Sequence, residues 1–311
     1  MLYALCPMLF WYCDENAFSD NRFLWQNRFN RGLMTAHEAI ILGIIQGLTE
    51  FLPVSSSGHL VLFQKLFGLK QAELFFDVAV HLGTLVAVIA VFRQELKKII
   101  TALVRLIASG GSKETVLQKV QSDSQLKMAL LIVIGSIPTA ILGFLFAGIA
   151  DRLFASGLIT GLMLILTGLL LWLTRRASAG EDQARSDQLT PKNAFIIGIV
   201  QGLAIIPGLS RSGSTISIGL LLGINRETAA RYSFLLSIPA IIGAGLLNLK
   251  DGLSQTDPAV RTAMLGAFAA ALVGYAALKS LLQMVKKGRL HVFAPYCWLV
   301  GLLAVTFSLL N

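Results

Sequence analysis

Gly43-Ile44-Ile45-Gln46-Gly47-Leu48-Thr49-Glu50-Phe51-Leu52-Pro53-Val54-Ser55-Ser56-Ser57-Gly58-His59 is an apolar run interrupted midway by proline, serine and glycine. Proline removes a backbone donor and glycine weakens a helix interior, so one continuous helix across this stretch is unfavourable. Its opening returns as Gly198-Ile199-Val200-Gln201-Gly202-Leu203, at an offset of 198 − 43 = 155 residues. The same offset pairs Ser55 with Ser210, Ser57 with Ser212, Gly58 with Gly213 and Gly68 with Gly223. Agreement that persists through the interruptions marks an internal duplication. The chain thus carries two broken apolar stretches, at about 37–69 and 193–224.

What surrounds them is as apolar as the stretches themselves. Of 311 residues, 55% are apolar and 14% charged, and the mean hydropathy is +0.71. A soluble domain carries roughly 25% charged residues, so the composition points to a polytopic helical membrane protein. The net charge of +9 is spread between apolar runs and forms no basic block, which excludes a nucleic-acid-binding tail. Cys6, Cys13 and Cys297 form no CxxC pair and read as bystanders. No Walker A loop or dinucleotide fingerprint occurs, which argues against an ATP-driven machine, and Gly208-x-Ser210-x-Ser212 is not GxSxG, so the nucleophile-elbow reading fails.

Stretches near the ~20 residues of a membrane span occur at about 75–92, 128–149, 154–173, 232–249, 262–285 and 292–310. The segments holding Arg93, Lys97, Lys98, Arg105, Lys113, Lys119 and Lys127, then Arg175, Arg176, Arg185 and Lys192, then Lys286, Lys287 and Arg289 should face the cytoplasm. The poorly basic loops at 151–152 and 250–261 should face outward. Each copy is then a broken hairpin plus three spans, and an odd number of crossings inverts the second copy. The expected fold is all-α: a single membrane domain over 34–311, with six transmembrane helices and two re-entrant hairpins in an inverted repeat, about 36–174 and 191–311. Residues 1–33 read as an N-terminal extension, disordered or a mis-assigned start, and Thr35 with Glu38 supplies a capping box for the first helix.

The first break gathers groups that could carry chemistry. Glu50 follows Gln46 by one helical turn, so both point the same way. Ser55, Ser56 and Ser57 follow Pro53, and His59 lies three residues past Ser56, which brings a nucleophile, a base and a cation-binding carboxylate into one short stretch. The bland readings are serines that satisfy the broken backbone, a packed histidine and a glutamate in an interhelical contact. The second break, Pro207-Gly208-Leu209-Ser210-Arg211-Ser212-Gly213-Ser214-Thr215, puts Arg211 at the position equivalent to Ser56 (211 − 155 = 56). An arginine among hydroxyls and free amides is what a phosphate needs; a snorkelling arginine is the alternative, and the mid-segment position argues against it. Asp77 and His81, a turn apart on the next span, reach toward the site mouth, but both stay outside the core set because capping or an interfacial role is the simpler reading of Asp77. Arg226 and Arg231 read as interfacial snorkellers, with Arg226 a candidate brace for the second break.

Gln46-x-x-x-Glu50, Pro53-Val-Ser-Ser-Ser-Gly-His59 and Pro207-Gly-Leu-Ser-Arg-Ser-Gly-Ser-Thr215 together resemble the signatures of the undecaprenyl-diphosphate phosphatase family, the bacitracin-resistance membrane proteins, over about 34–311. That family accepts Glu or Gln at the leading position, so Gln46 is a permitted variant and a supporting residue, and Glu50 is left as the motif's only carboxylate. The resemblance implies ten helices, six spanning and four in two re-entrant pairs. It implies hydrolysis of undecaprenyl diphosphate to the monophosphate and inorganic phosphate at the outer face of the bacterial inner membrane, which recycles the lipid carrier for peptidoglycan and confers bacitracin resistance. By it, Glu50, Ser56, His59 and Arg211 are catalytic, while Ser55, Ser57, Ser210, Arg211, Ser212 and Thr215 bind the diphosphate. Glu50 would hold a divalent cation, Mg2+ or Ca2+. Ser56 would attack the terminal phosphorus with His59 as base or leaving-group acid, and His59 as the nucleophile stays open. The implied partners are the polyprenyl diphosphate and membrane lipids, with a homodimer as a candidate assembly and no nucleic acid. The competing reading is a secondary transporter or flippase of a lipid phosphate or anion, because inverted repeats with broken helices are common there. A carrier needs positive charge and amides but no nucleophile beside a base, and a plain scaffold leaves Glu50 and Arg211 without a reason to be buried.

Overall fold

In the computed structural model, residues 34–67, 69, 74–109, 113–149, 153, 156–178, 186, 188–247 and 257–310 are described, and among them there is no strand, only a single bridge between Ser186 and Ile224. The 1–33 extension with Cys6 and Cys13, Gly68, the loop at 151–152, Arg185 and residues 248–256 lie outside the described residues. In chain order, α1 (Ala36–Phe51) and α2 (Ser56–Leu66) make the first broken stretch; α3 (Leu74–Val91), α4 (Arg93–Ala108), α5 (Lys113–Ser122), α6 (Ser124–Ala147) and α7 (Gly157–Ser178) follow. The second broken stretch is α8 (Pro191–Leu203) and α9 (Arg211–Leu221), followed by α10 (Arg226–Leu247), α11 (Asp257–Lys286), a 3-10 turn (Leu290–Phe293) and α12 (Ala294–Leu310).

The ends of these helices follow from side chains. Thr35 Oγ1 accepts from the Glu38 amide at 3.4 Å while the Glu38 carboxylate accepts from the Thr35 amide at 2.8 Å, the reciprocal capping box that the sequence suggests. Thr190 caps α8, which carries Pro191 in its first turn, and Ser210 caps α9 by accepting from the Gly213 amide at 3.2 Å. Between α1 and α2 the chain turns through Pro53, and Ser55 takes a left-handed φ of +69°. Gly208 holds φ +86° in the second break, a conformation that glycine adopts freely.

Among the described residues, five helices are long and apolar enough to cross a membrane: Ser124–Phe146, Gly157–Arg175, Arg226–Leu246, Pro258–Lys286 and Leu290–Leu310. The stretch expected at 75–92 is α3, which meets α4 at an 80° bend, and the bent pair counts as a sixth candidate. The basic segment 93–127, expected as a loop, instead holds α4, α5 and the first residues of α6. In α4 the apolar and basic residues cancel in a hydropathy average, yet Ile100, Leu103, Val104 and Ile107 form an exposed i, i+3, i+4, i+7 stripe while Ile99 and Ala102 are buried. That pattern suits a helix lying along a membrane interface. On the membrane helices the usual arrangement is reversed, with Phe144, Phe268 and Leu310 exposed and Gln46, Asp77, Ser212 and Thr215 buried. Such an apolar exterior is stable only where hydrocarbon is the solvent.

The two halves exchange partners. α1 of the first broken stretch packs along α11, and α8 of the second packs along α6; likewise α3 lies on α11 and α10 on α6. The repeat mates Gly43 and Gly198 sit at these crossings, where an added Cβ would strike the backbone of Gly266 and of Gly135 respectively. Small residues that let helix backbones touch are the usual means of association where no hydrophobic drive separates helix from lipid. Phe51 and Phe92 both pack on Phe234, with ring centroids 5.8 and 6.1 Å apart, and so tie α1 and the α3–α4 bend to α10. Gly198→Ala should therefore lower stability by roughly 1–3 kcal/mol, because the clash is with backbone. Thermal unfolding in detergent measures it, and an unchanged midpoint would contradict this packing.

Candidate active site

Glu50, in the last turn of α1, is the point where the two breaks meet. Its Oε1 accepts from Arg211 Nη2 at 2.5 Å, and its Oε2 accepts from Ser56 Oγ at 2.9 Å and from Gln46 Nε2 at 3.0 Å. Ser56 and Arg211 are the first residues of α2 and α9, so two helix N-termini, each a positive dipole end, present their first side chains to one carboxylate. His81 of α3 brings Nε2 to 3.7 Å from Glu50 Oε2. Only 18% of the Arg211 side chain and 7% of that of Glu50 are exposed. Arg211 Nη1 is buried with no hydrogen-bond partner, a strong donor held in reserve.

The tips of the two breaks also bind each other. Ser212 Oγ donates to the Phe51 carbonyl at 2.8 Å, and Gly213 lies so close to Pro53 that an added Cβ would overlap its ring. Cys297 donates its thiol to the Pro53 carbonyl at 3.2 Å, so the cysteine read as a bystander supports the first break. Thr167 Oγ1 donates to the Gly208 carbonyl and accepts from the Ser210 amide, which pins the second break to α7.

Above this floor opens a cavity of about 530 Å³. Glu50, Ser55, Ser56, Ser57, Ser210 and Arg211 line its polar end, together with His81. Val78, Leu82, Phe144, Ile205, Ile241 and Leu246 line much of the remainder, so the space is amphiphilic: a charged floor under mainly apolar walls. Such a shape accepts a ligand with an anionic head and a hydrocarbon tail.

Comparison with known proteins agrees with this geometry. Residues 39–303 match the family described as bacitracin resistance protein BacA. The chain belongs to that family. Among similar proteins, one from Desulforapulum autotrophicum named undecaprenyl-diphosphatase is 48% identical over 272 residues, covering 88% of this chain and 98% of the relative. Proteins of the same name from Desulfatibacillum aliphaticivorans and Desulfosudis oleivorans are 51% and 50% identical, each covering 85% of this chain and 95% of the relative.

Within this BacA-family chain the residues singled out from the sequence separate into two groups. Glu50, Ser56 and Arg211 are brought into direct contact, with Gln46 behind them and Ser55, Ser57 and Ser210 on the cavity wall. Ser212 and Thr215 are almost wholly buried outside the cavity lining. Their hydroxyls serve the framework, Ser212 on the Phe51 carbonyl and Thr215 on the Arg211 carbonyl at 2.7 Å and on Ser233 at 2.6 Å. His59 is not brought to Ser56. Its Nδ1 lies 3.0 Å from the Ser55 carbonyl, which can only accept, so Nδ1 carries the hydrogen, and its Nε2 faces the Tyr296 hydroxyl at 2.5 Å. His59 is thereby held outside the cavity lining and fixes the left-handed turn at Ser55. Neither signature contains His81 or Tyr296, and for Tyr296, 237 residues from His59, no local pattern could have signalled the pairing.

No group of three or more His, Cys, Asp or Glu among the described residues could hold a metal ion. Glu50 Oε1 accepts a single hydrogen bond, and an oxygen of a carboxylate has two lone pairs, so the site suits a cation shared with phosphate oxygens rather than one enclosed by protein. Removing one member of the buried pair should be costly: Arg211→Ala is expected to lose roughly 3–5 kcal/mol, whereas the apolar pair Glu50→Leu with Arg211→Met should recover most of it. Chemical unfolding of the single and double variants in detergent checks this, and additive losses would show that the two charges do not act as a pair.

Proposed function

We propose that this chain hydrolyses undecaprenyl diphosphate to undecaprenyl phosphate and inorganic phosphate. The observation that carries the reading is the joint placement of Ser56 Oγ and the Arg211 guanidinium on Glu50, at the charged floor of an apolar-walled cavity. Arg211, with its unpartnered Nη1, and the amides at the starts of α2 and α9 would hold the diphosphate, and Ser55, Ser57 and Ser210 would add hydroxyl contacts. The apolar wall would take the first isoprene units. Ser56, aligned by Glu50, would attack the terminal phosphorus in line with the bridging oxygen, and Arg211 would stabilise the charge on the transferring group. Ser56 is favoured over His59 as nucleophile because its hydroxyl lies on the cavity while both nitrogens of His59 are engaged outside the lining.

A divalent cation, Mg2+ or Ca2+, would be held by Glu50 and would lower the charge of the diphosphate when bound. Membrane lipids would surround the apolar exterior, and a homodimer is a candidate assembly. By the same reading the protein lies in the bacterial inner membrane with the cavity open to the outer face, recycles the carrier lipid for peptidoglycan, and confers bacitracin resistance. A carrier of lipid phosphate is disfavoured because it would have no use for a serine hydroxyl aligned on a carboxylate.

Two measurements test this. Purified protein in detergent should release phosphate from a polyprenyl diphosphate and lose that activity in EDTA, with recovery on adding Mg2+ or Ca2+. Ser56→Ala should lower kcat by about 10³-fold or more, and Arg211→Lys, which keeps the charge but loses the planar fork, by about 10²-fold. A folded, metal-supplied parent that releases no phosphate would remove the hydrolase reading.

A further inference from the structure

No residue of α4 lines the cavity, and the packing of the two halves does not call for this helix. In the first half the chain spends residues 92–123 between α3 and α6, whereas the matching step of the second half, from α10 to α11, takes residues 248–256. α4 turns 80° away from the direction of α3.

Three arcs divide its surface. Ile99 and Ala102 are buried on the side held against the fold, where α4 packs on α6. Ile100, Leu103, Val104 and Ile107 form the apolar stripe, and Ile107 is 80% exposed. At 3.6 residues per turn, Lys97, Thr101, Arg105 and Lys98 follow beside that stripe within about 100° of arc, and all four are exposed. Glu95, the one acidic residue of α4, falls on the packed arc instead. Arg93, Lys97, Lys98 and Arg105 form no salt bridge with any described residue. Basic side chains elsewhere are occupied: Lys286 pairs with Glu227 at 3.3 Å, Arg175 lies 5.1 Å over the Trp172 ring, and Lys279 lies 4.8 Å over that of Tyr275.

We infer that α4 is a binding surface for anionic phospholipid headgroups. Lys97, Lys98 and Arg105 hold the lipid phosphates, while Ile100, Leu103, Val104 and Ile107 lie among the first methylenes of the acyl chains. Uncompensated cations along the edge of an apolar stripe match that layer of a bilayer and no simpler ligand. A free phosphate would meet the charges and leave the stripe bare; a zwitterionic lipid would cover the stripe and bring no net charge to the cations. Lys119 Nζ of α5 donates to Ser109 Oγ at 2.8 Å, which fixes the far end of α4 in place. The inference is independent of the hydrolase reading and needs only that the protein lies in a membrane.

Binding of phosphatidylglycerol and of phosphatidylcholine with the same acyl chains is measured by native mass spectrometry on the full chain in non-ionic detergent. The parent is compared with Lys97→Gln/Lys98→Gln/Arg105→Gln and with a control of equal charge loss, Lys286→Gln/Lys287→Gln/Arg289→Gln. Each cation at a membrane surface strengthens anionic-lipid binding by roughly fivefold. The parent should therefore prefer phosphatidylglycerol, the α4 variant should lose about tenfold or more of that preference, and the control should keep it within about twofold. Raising salt from about 0.05 to 0.5 M should weaken the preference in the parent. Equal binding of the two lipids by the parent overturns the inference. So does an α4 variant with the parent's preference, which would place the lipid in the cavity or elsewhere, and so does equal loss in both variants, which would mark a general charge effect. Displacement of phosphatidylglycerol by millimolar inorganic phosphate would reveal a free-anion site and overturns it too. If the triple variant does not fold, the three single variants decide by the same criterion, each with a loss of about fivefold.

Discussion

The ion pair between Glu50 and Arg211 is the constraint on which the rest of the structure depends. Each residue comes from a different copy of the repeat, and each stands at a break in its own copy. A lone charge at that depth is costly, and a pair repays the cost only when its remaining hydrogen-bonding positions are filled. Gln46 and Ser56 fill those on Oε2 of Glu50, and Arg211 keeps one donor unused. The pair therefore does two things at once: it holds the two breaks together, and it leaves one strong donor unpaired at the cavity floor.

The halves differ at the breaks. At the offset of 155, Glu50 corresponds to Ile205 and Ser56 to Arg211, so the first copy supplies the carboxylate and hydroxyl and the second supplies the cation. Neither copy alone contains the set. The exchanged packing, α1 on α11 and α8 on α6, is what makes a site shared between copies geometrically secure, since each break is held by helices of the other half. Glycines at both crossings permit that approach. The same arrangement turns apolar side chains outward, and only a hydrocarbon solvent makes that favourable.

Hydroxyl-rich breaks divide their labour in this fold. Some hydroxyls, those of Ser212 and Thr215, replace the backbone partners lost where helices stop, while Ser55, Ser56, Ser57 and Ser210 face the cavity. A broken helix inside a membrane must satisfy its own carbonyls before it can bind anything, and here Ser212, Thr167 and Cys297 satisfy those of Phe51, Gly208 and Pro53.

The sequence by itself determined the helical membrane class, both breaks and the ionisable residues at them, because hydropathy and helix-breaking chemistry are local properties of the chain. It also marked the start of α1, since a capping box is written in four consecutive residues. It misread α4 and α5 as loop, because the charges of an amphipathic helix cancel its apolar face in any average. It could not tell which of two histidines lies beside Glu50: His59 is nearer to the motif in sequence, yet the fold binds its nitrogens to Ser55 and Tyr296 and brings His81 from another helix to Glu50 instead. Which hydroxyls face the cavity and which face a carbonyl was likewise decided only by the tertiary structure. The direction of a side chain at a helix break depends on what packs across from it, and those neighbours lie 161 residues away for the Arg211–Glu50 pair and for Ser212 on Phe51.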